Sequence, residues 1–276
     1  MKYITYNTQR DGAGSQIQRI FSIYLLAKHF NLQYIHSPFH TTEHDFDQHL
    51  LDQFNQMIEL PSDAQLPDQY QTIAIDSINR DTVHFLQHQY PIPVLFRVNV
   101  AHEYLNEHPE LLLPLFPHSF PWIETRLDTP LKIAVHVRRG DVSPTENSSR
   151  FVPFLFYLEC IEYLSHLFQT TDHEISIYSE STIYPELTQF QERLGQIPHL
   201  SYHIDENIIQ TFQSIVNADV LVAGHSSLSF SATMLKQKGI TIHLPFCAVY
   251  SEKHIEIHST HELLKHTPKL LQAITP

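Results

Sequence analysis

The chain has 276 residues and a formal charge of −13, from 17 Lys+Arg against 30 Asp+Glu. That length allows one large domain or two small ones, and 42% apolar content is ordinary for a globular chain with a buried core. The acidic balance argues against a nucleic-acid partner, because phosphate neutralisation needs a basic face.

The first residues, Met1-Lys2-Tyr3-Ile4-Thr5-Tyr6-Asn7, read as a strand over 3–6 and lack the apolar core of a signal peptide. The turn Asp11-Gly12-Ala13-Gly14 leads into an expected helix over 16–30, where Ile17, Ile20, Phe21, Tyr24, Leu25 and Ala27 form one apolar stripe. Strands are expected at 33–35, 72–75 and 94–98, and helices at 46–57 and 81–89. The stretch 103–127 is helical in places but broken by Pro109, Pro114, Pro117 and Pro121. A boundary is therefore expected near Thr129-Pro130, giving lobes of 1–129 and 130–276.

The second half alternates more cleanly. Strands are expected at 132–137, 174–178, 201–203, 220–223 and 240–244. Helices are expected at 154–168, 185–194, 208–216 and 227–236, with a closing helix near 260–274. Short β-branched runs alternating with helices predict an α/β fold with parallel sheets, here two Rossmann-like lobes facing a cleft. No run approaches the roughly 20 apolar residues of a membrane helix, so a soluble, cytoplasmic chain without an integral membrane segment is expected. Cys160 and Cys247 give no disulfide framework or zinc ribbon. Among 21 His, the spacings His36/His40/His44 and His84/His88 suit metal ligation, but no Cys or carboxylate cluster completes them, and no metal is expected.

Ligands of parallel α/β sheets bind beyond the carboxyl ends of the strands. The strongest signal there is Ile133-Ala134-Val135-His136-Val137-Arg138-Arg139-Gly140-Asp141, an apolar strand running into a His, two Arg, a Gly and an Asp. Arginine presents a rigid, permanently charged fork that suits phosphate oxygens. The plainer reading is an Arg–Asp salt bridge closing a loop. Ala223-Gly224-His225-Ser226-Ser227-Leu228-Ser229-Phe230-Ser231 also follows an apolar strand and opens a helix, whose amides and hydroxyls suit an anion; simple N-capping would need only one of these serines. Gly12-Ala13-Gly14 permits close backbone approach but lacks the later Gly of a dinucleotide site. Ser179-Glu180-Ser181 ends another strand, where the carboxylate would serve a base or ribose, or cap a helix.

Together these residues resemble the fucosyltransferase superfamily of α1,2-, α1,6- and protein O-fucosyltransferases. His136-Val137-Arg138-Arg139-Gly140-Asp141 is similar to its H-x-R-R-G-D motif, Gly14-Ser15-Gln16 to its early Gly-rich turn, and Ser226-Ser227-Leu228-Ser229-Phe230-Ser231 to its late serine motif, with Leu228 as an extra residue. Ser179-Glu180 stands where α1,2-type members carry Ser-Asp-Asp, so a second carboxylate is lacking.

The resemblance implies a GT-B fold, GDP-fucose as donor, a glycan or protein hydroxyl as acceptor, inversion at the sugar and no metal. It implies catalytic roles for Arg138, Arg139 and Asp141. It implies donor-side roles for His136, Gly14, Gln16, Ser179, Glu180, Ser226, Ser227, Ser229, Phe230 and Ser231. Asp141, Glu146 and Asp11 are the candidate bases. The alternatives are a GT-B transferase using another nucleotide sugar, or a catalytically silent nucleotide-sugar-binding protein.

Overall fold

A computed structural model describes residues 1–43, 46–90, 93–101, 120, 130–180, 184–236, 238–246 and 253–274. His44, Ser181, Cys247, the His88 side chain and almost all of the stretch expected to be partly helical, 103–127, lie outside the described residues. The chain divides into two compact units, Met1–Trp122 and Ile123–Pro276, a few residues before the expected boundary.

The first unit holds four parallel strands, β1 (Lys2–Tyr6), β2 (Gln33–Tyr34), β3 (Gln71–Ser77) and β4 (Val94–Val100), in the order β2-β1-β4-β3. Between β1 and β2 runs α1 (Ala13–His29), which buries Ile17, Ile20, Phe21 and Leu25 completely. Lys28 and His29 sit in its last turn, where cations complement the helix dipole. The helix starts earlier than the sequence suggests. Gly12 is its N-cap, in ordinary extended geometry (φ −60, ψ 146), so Gly14 and Gln16 belong to the helix and not to a turn. Two further helices, α2 (Gln48–Met57) and α3 (Arg80–Gln89), are capped by Asp47 and Asn79, whose side chains accept from Leu50 N and Thr82 N.

The second unit holds six parallel strands: β5 (Leu131–His136), β6 (His173–Ser179), β7 (Leu200–Ile204), β8 (Val220–Ala223), β9 (Ile240–His243) and β10 (His254–Glu256). Their order is β10-β9-β8-β5-β6-β7. Counted from β5, this is the doubly wound 3-2-1-4-5-6 arrangement, whose direction of winding reverses between β5 and β8. Ile133, Val135, Ile175, Ile177, Val220, Val222, Ile240 and Ile242 form the core of this sheet. Strands covered on both faces read as apolar runs, as in Ile133–Val135 of β5 and in β8, whereas β6 and β7 alternate apolar with polar residues. The strand β10, His254-Ile255-Glu256, is too short to show a pattern.

The helices of this unit are α4 (Phe154–Leu167), α5 (Tyr184–Leu194), α6 (Ile208–Asn217), α7 (Ser227–Leu235) and α8 (Leu263–Ile274). Phe156, Tyr157, Cys160, Ile161 and Leu164 of α4 join the core cluster, and burial pushes the Cys160 thiol up, so it is an inert filler. No helix among the described residues is long and apolar enough to cross a membrane.

A buried charge lies just past α7 in this unit. Lys236 is 1% exposed. Its ammonium donates to Ile215 O at 3.2 Å, Val216 O at 3.3 Å and Ala218 O, covering the carbonyls left open at the end of α6. Burial lowers its pKa to about 7, while Asp219 opposes the shift. Lys236→Met is therefore expected to destabilise the second unit by about 2 kcal/mol, because three buried acceptors lose their donor. Chemical denaturation with an unchanged midpoint would contradict this role.

Candidate functional site

At the switch point β5 and β8 lie side by side, with His136 paired to Ala223. Both chains leave the sheet here. The Gly224 N–H donates to His136 O at 3.0 Å. Gly224 is required by space, since a Cβ would lie 2.5 Å from the Tyr157 hydroxyl and 3.0 Å from His136 O. The two loops are joined again further out, where the His225 ring contacts Ser149 O at 3.3 Å. His225 also stacks on Phe246, with ring centroids 4.6 Å apart.

The loop after β5 carries the two arginines, and the structure gives them different tasks. Arg139 has a side chain 5% exposed. It forks onto Glu186 with Nε–Oε2 2.6 Å and Nη2–Oε1 3.0 Å, and it donates to Arg138 O at 2.7 Å and Val152 O at 3.3 Å. It also lies over the Phe151 ring at 4.6 Å. Four of its five N–H groups are spent on the protein, so Arg139 fastens the loop to α5. The expectation of two arginines gripping one anion is thereby narrowed to Arg138.

Arg138 is held differently. One terminal nitrogen contacts both oxygens of Asp141 at 2.6 and 2.8 Å. The Arg138 side chain is 14% exposed and that of Asp141 is 36% exposed. Its Nε is buried with no partner among the described residues. The loop-closing Arg–Asp salt bridge of the plainer reading thus exists, but it sits on a half-exposed carboxylate. Between the two lies Gly140 at φ +77, where the Glu180 carboxylate occupies the space a Cβ would take, 1.7 Å from Glu180 Oε2. Ser179 ties the same loop down by donating to Val137 O at 2.7 Å.

The serine motif after β8 also divides. Ser226 is the N-cap of α7 and accepts from Leu228 N at 3.3 Å. Ser229 is hydrogen-bonded to His136 Nδ1 at 2.6 Å. Ser231 donates back to Ser227 O at 2.8 Å. Phe230 is 1% exposed and packs edge-on against His243 at 5.2 Å, so it is a core residue of the cluster around His243 and His254. In the first turn of α7 only Ser227 is not buried, and the Leu228 N–H is already taken by the Ser226 hydroxyl.

In the first unit, Gln16 is fully buried. Its amide donates to Asp11 O at 3.0 Å and Thr41 O at 2.7 Å, and its oxygen accepts from the Tyr6 hydroxyl at 3.2 Å. It thus anchors loops within that unit. Asp11 pairs with Arg19 at 2.6 Å and accepts from Gly12 N at 2.7 Å. Among the described residues no group of three or more His, Cys, Asp and Glu is placed to hold a metal ion.

No protein-family model matches the chain, and no curated protein matches it. Among solved structures, the E. coli heptosyltransferase WaaC with ADP is similar at 10% identity and a TM-score of 0.51, covering 98% of this chain and 99% of that one. WaaC with ADP-2-deoxy-2-fluoro heptose is similar at 8% identity and a TM-score of 0.50, with 98% and 99% covered. The fold is GT-B-like.

Two contributors carry no signal of their own in the sequence. Glu186 takes Arg139 and Tyr157 roofs Gly224, while His225, inside the serine motif, links the two loops. Each lies in or beside an element already recognised, but its partner is remote in sequence. Only the small residue Gly224, directly after a strand, carried a local hint of close packing.

His136 is partly accessible at its strand end, yet the crowding of its ring lowers its pKa to about 4, with the neighbouring Arg138 charge adding to the effect. It is neutral at pH 7. An unfolded His titrates near 6.5, so between about pH 6.5 and 4 the unfolded chain binds a proton that the folded chain does not. The stability contributed is complete above about 6.5 and falls as pH drops towards 4. His36 (about 4) and His254 (about 3), both shifted chiefly by burial, act in the same sense. Melting temperatures are expected to fall steadily from pH 7 to 4, with a shallower slope in His136→Asn. A flat profile would contradict the neutral imidazole.

Proposed function

We propose that the chain is an inverting glycosyltransferase that transfers fucose from GDP-fucose to a hydroxyl of a glycan or protein acceptor without a metal ion. The observation that carries this reading is Arg138. It stands at the switch point of a GT-B-like fold with a buried Nε and no partner for it among the described residues, and its outer nitrogen rests on a displaceable carboxylate. The identity of the donor rests on the resemblance of His136–Asp141 and the serine motif to the fucosyltransferase superfamily.

The chemistry follows from charge. As the bond from sugar to diphosphate breaks, negative charge grows on the leaving oxygen. Arg138 exchanges the Asp141 carboxylate for the β-phosphate and stabilises that charge, helped by the amides at the start of α7. Its guanidinium is already oriented, because Arg139–Glu186 and Ser179 fix the loop beneath it. His136, being neutral, adds no charge and sets the Ser229 hydroxyl instead. Glu180, over Gly140, is placed to accept from ribose or base. Asp141, released by the exchange, is the candidate base for the acceptor hydroxyl.

A second reading, an ADP-linked sugar as donor, is favoured by the shared fold of a heptosyltransferase whose structure holds ADP. Calorimetry with GDP, ADP, UDP, GDP-fucose and GDP-mannose separates the readings. GDP and GDP-fucose are expected to bind at least tenfold tighter than ADP or UDP. Arg138→Ala is expected to slow transfer or donor hydrolysis by about 100-fold or more. Arg139→Met, by contrast, is expected to lower the melting temperature by roughly 5 °C through the unpaired Glu186. Turnover that survives Arg138→Ala, or failure to bind any nucleoside diphosphate, overturns the proposal.

A further inference from the structure

Away from the arginine and serine loops, the second unit carries a row of hydroxyl, imidazole and carboxylate groups along β7. This strand stands last in the order of its sheet and pairs with β6, Ser201 opposite Ser176 and His203 opposite Tyr178. Side chains alternate along a strand, so Leu200, Tyr202 and Ile204 pack against the apolar core while Ser201 and His203 share the other face. Ser176, Ser201 and His203 are half-buried there. The chain then turns at Asp205, held at φ 55, a conformation that Asp tolerates better than most residues. Asp205 N donates to Ser179 O at 3.0 Å, and Asn207 caps α6 by accepting from Ile209 N at 2.9 Å. Between these two anchors Glu206 is brought back to His203.

The three groups form one hydrogen-bonded chain. Glu206 Oε1 lies 2.8 Å from His203 Nδ1, and His203 Nε2 lies 2.9 Å from Ser201 Oγ. With the carboxylate accepting from Nδ1–H, Nε2 is left as the acceptor for the Ser201 hydroxyl. The ring plane is fixed as well, because His203 stacks on Tyr178 with centroids 4.7 Å apart and planes 17° apart. Ser176 Oγ, 3.1 Å from Ser201 Oγ, places a second hydroxyl beside the same oxygen. The competing acceptor for the Ser201 proton, Ile175 O, is more distant at 3.4 Å. Polar side chains that only decorate a sheet face need no fixed order. A hydroxyl touching a base that is itself oriented by a third group is the arrangement of nucleophilic catalysis.

The ladder supplies a donor for the other half of such a reaction. Asp205 N–H and His199 O both face β6, so by alternation the Ser201–Tyr202 peptide turns its C=O to β6 and its N–H away. The side chains of His203 and Glu206 are 27% and 40% exposed, which suits a small substrate arriving from solvent. We propose that Ser201, His203 and Glu206 form a site, separate from the donor site, that hydrolyses small carboxylic esters. It does not depend on the glycosyltransferase reading. Ser201 Oγ bonds to the ester carbonyl carbon as its proton passes to His203 Nε2, and the Tyr202 N–H meets the oxyanion. The C–O bond to the alcohol breaks, and the alcohol leaves with the proton held on Nε2. Water then adds to the acyl carbon and gives a proton to Nε2; the acyl–Oγ bond breaks, Oγ recovers that proton, and the carboxylic acid departs.

The test is labelling of the full chain with a fluorophosphonate probe, in which Ser201 Oγ displaces fluoride from phosphorus, together with hydrolysis of p-nitrophenyl acetate. The label is expected on Ser201 by mass spectrometry, and heat-denatured chain is expected to take none. Ser201→Ala is expected to abolish labelling, and His203→Gln to slow both reactions about 100-fold or more. Glu206, exposed and beyond the end of the strand, is a positioning residue. Glu206→Gln is expected to slow both reactions about tenfold at an unchanged melting temperature, and Glu206→Asp to recover part of the rate. Absence of labelling, or labelling at another residue, overturns the proposal. So do rates that survive His203→Gln or, where that variant does not fold, Glu206→Gln.

Discussion

The Gly224 N–H meets the carbonyl of His136 at 3.0 Å, and on that contact the architecture of the second unit's site depends. It ties together the ends of two neighbouring strands just where their connections part to opposite faces of the sheet. The space between them is closed by the Tyr157 hydroxyl, and only a residue without a side chain fits. Because β5 and β8 are locked here, the arginine loop and the first turn of α7 emerge as neighbours. A looser junction would let the two loops drift independently, and a site built from both would lose its geometry.

The adjacent arginines show how one dipeptide can serve structure and chemistry together. Arg139 is buried against Glu186, Val152 O and the face of Phe151, and removing either partner would strand a charge in a poorly hydrated place. Arg138, one residue away, is less deeply buried, with a side chain 14% exposed and paired to the half-exposed Asp141. Consecutive residues in an extended segment point in opposite directions, so a doubled arginine need not mean a doubled charge at the site. The neutral state of His136 sharpens this division, leaving the local positive charge to a single guanidinium.

Much of the fold was legible because the strands carry short β-branched apolar runs and the helices between them are short and separate. The Rossmann-like order of the second unit could not be read directly, since strand order is a matter of tertiary pairing, and β10 was too brief to register. The positions of His136, Arg138 and Ser226 at strand ends were legible from the abrupt change from Val and Ile to polar residues. Their division of labour was not. Phe230 and Ser231 sit inside the serine motif yet turn into the helix and core, because a helix rotates successive residues by roughly 100° and only part of any run can face one way. Gly14 was read as the end of a turn, although Gly12 at an ordinary φ simply starts the helix early.

Asp141 is carried on the same loop as Arg138, only three residues along. A tethered carboxylate competes at an effective concentration far above that of any free anion, in the millimolar range or higher for short connections. Chloride, acetate or a single phosphate gains too little from one guanidinium to evict it. The loop therefore carries its own counter-ion, and any other anion at Arg138 has to compete with a carboxylate that never diffuses away.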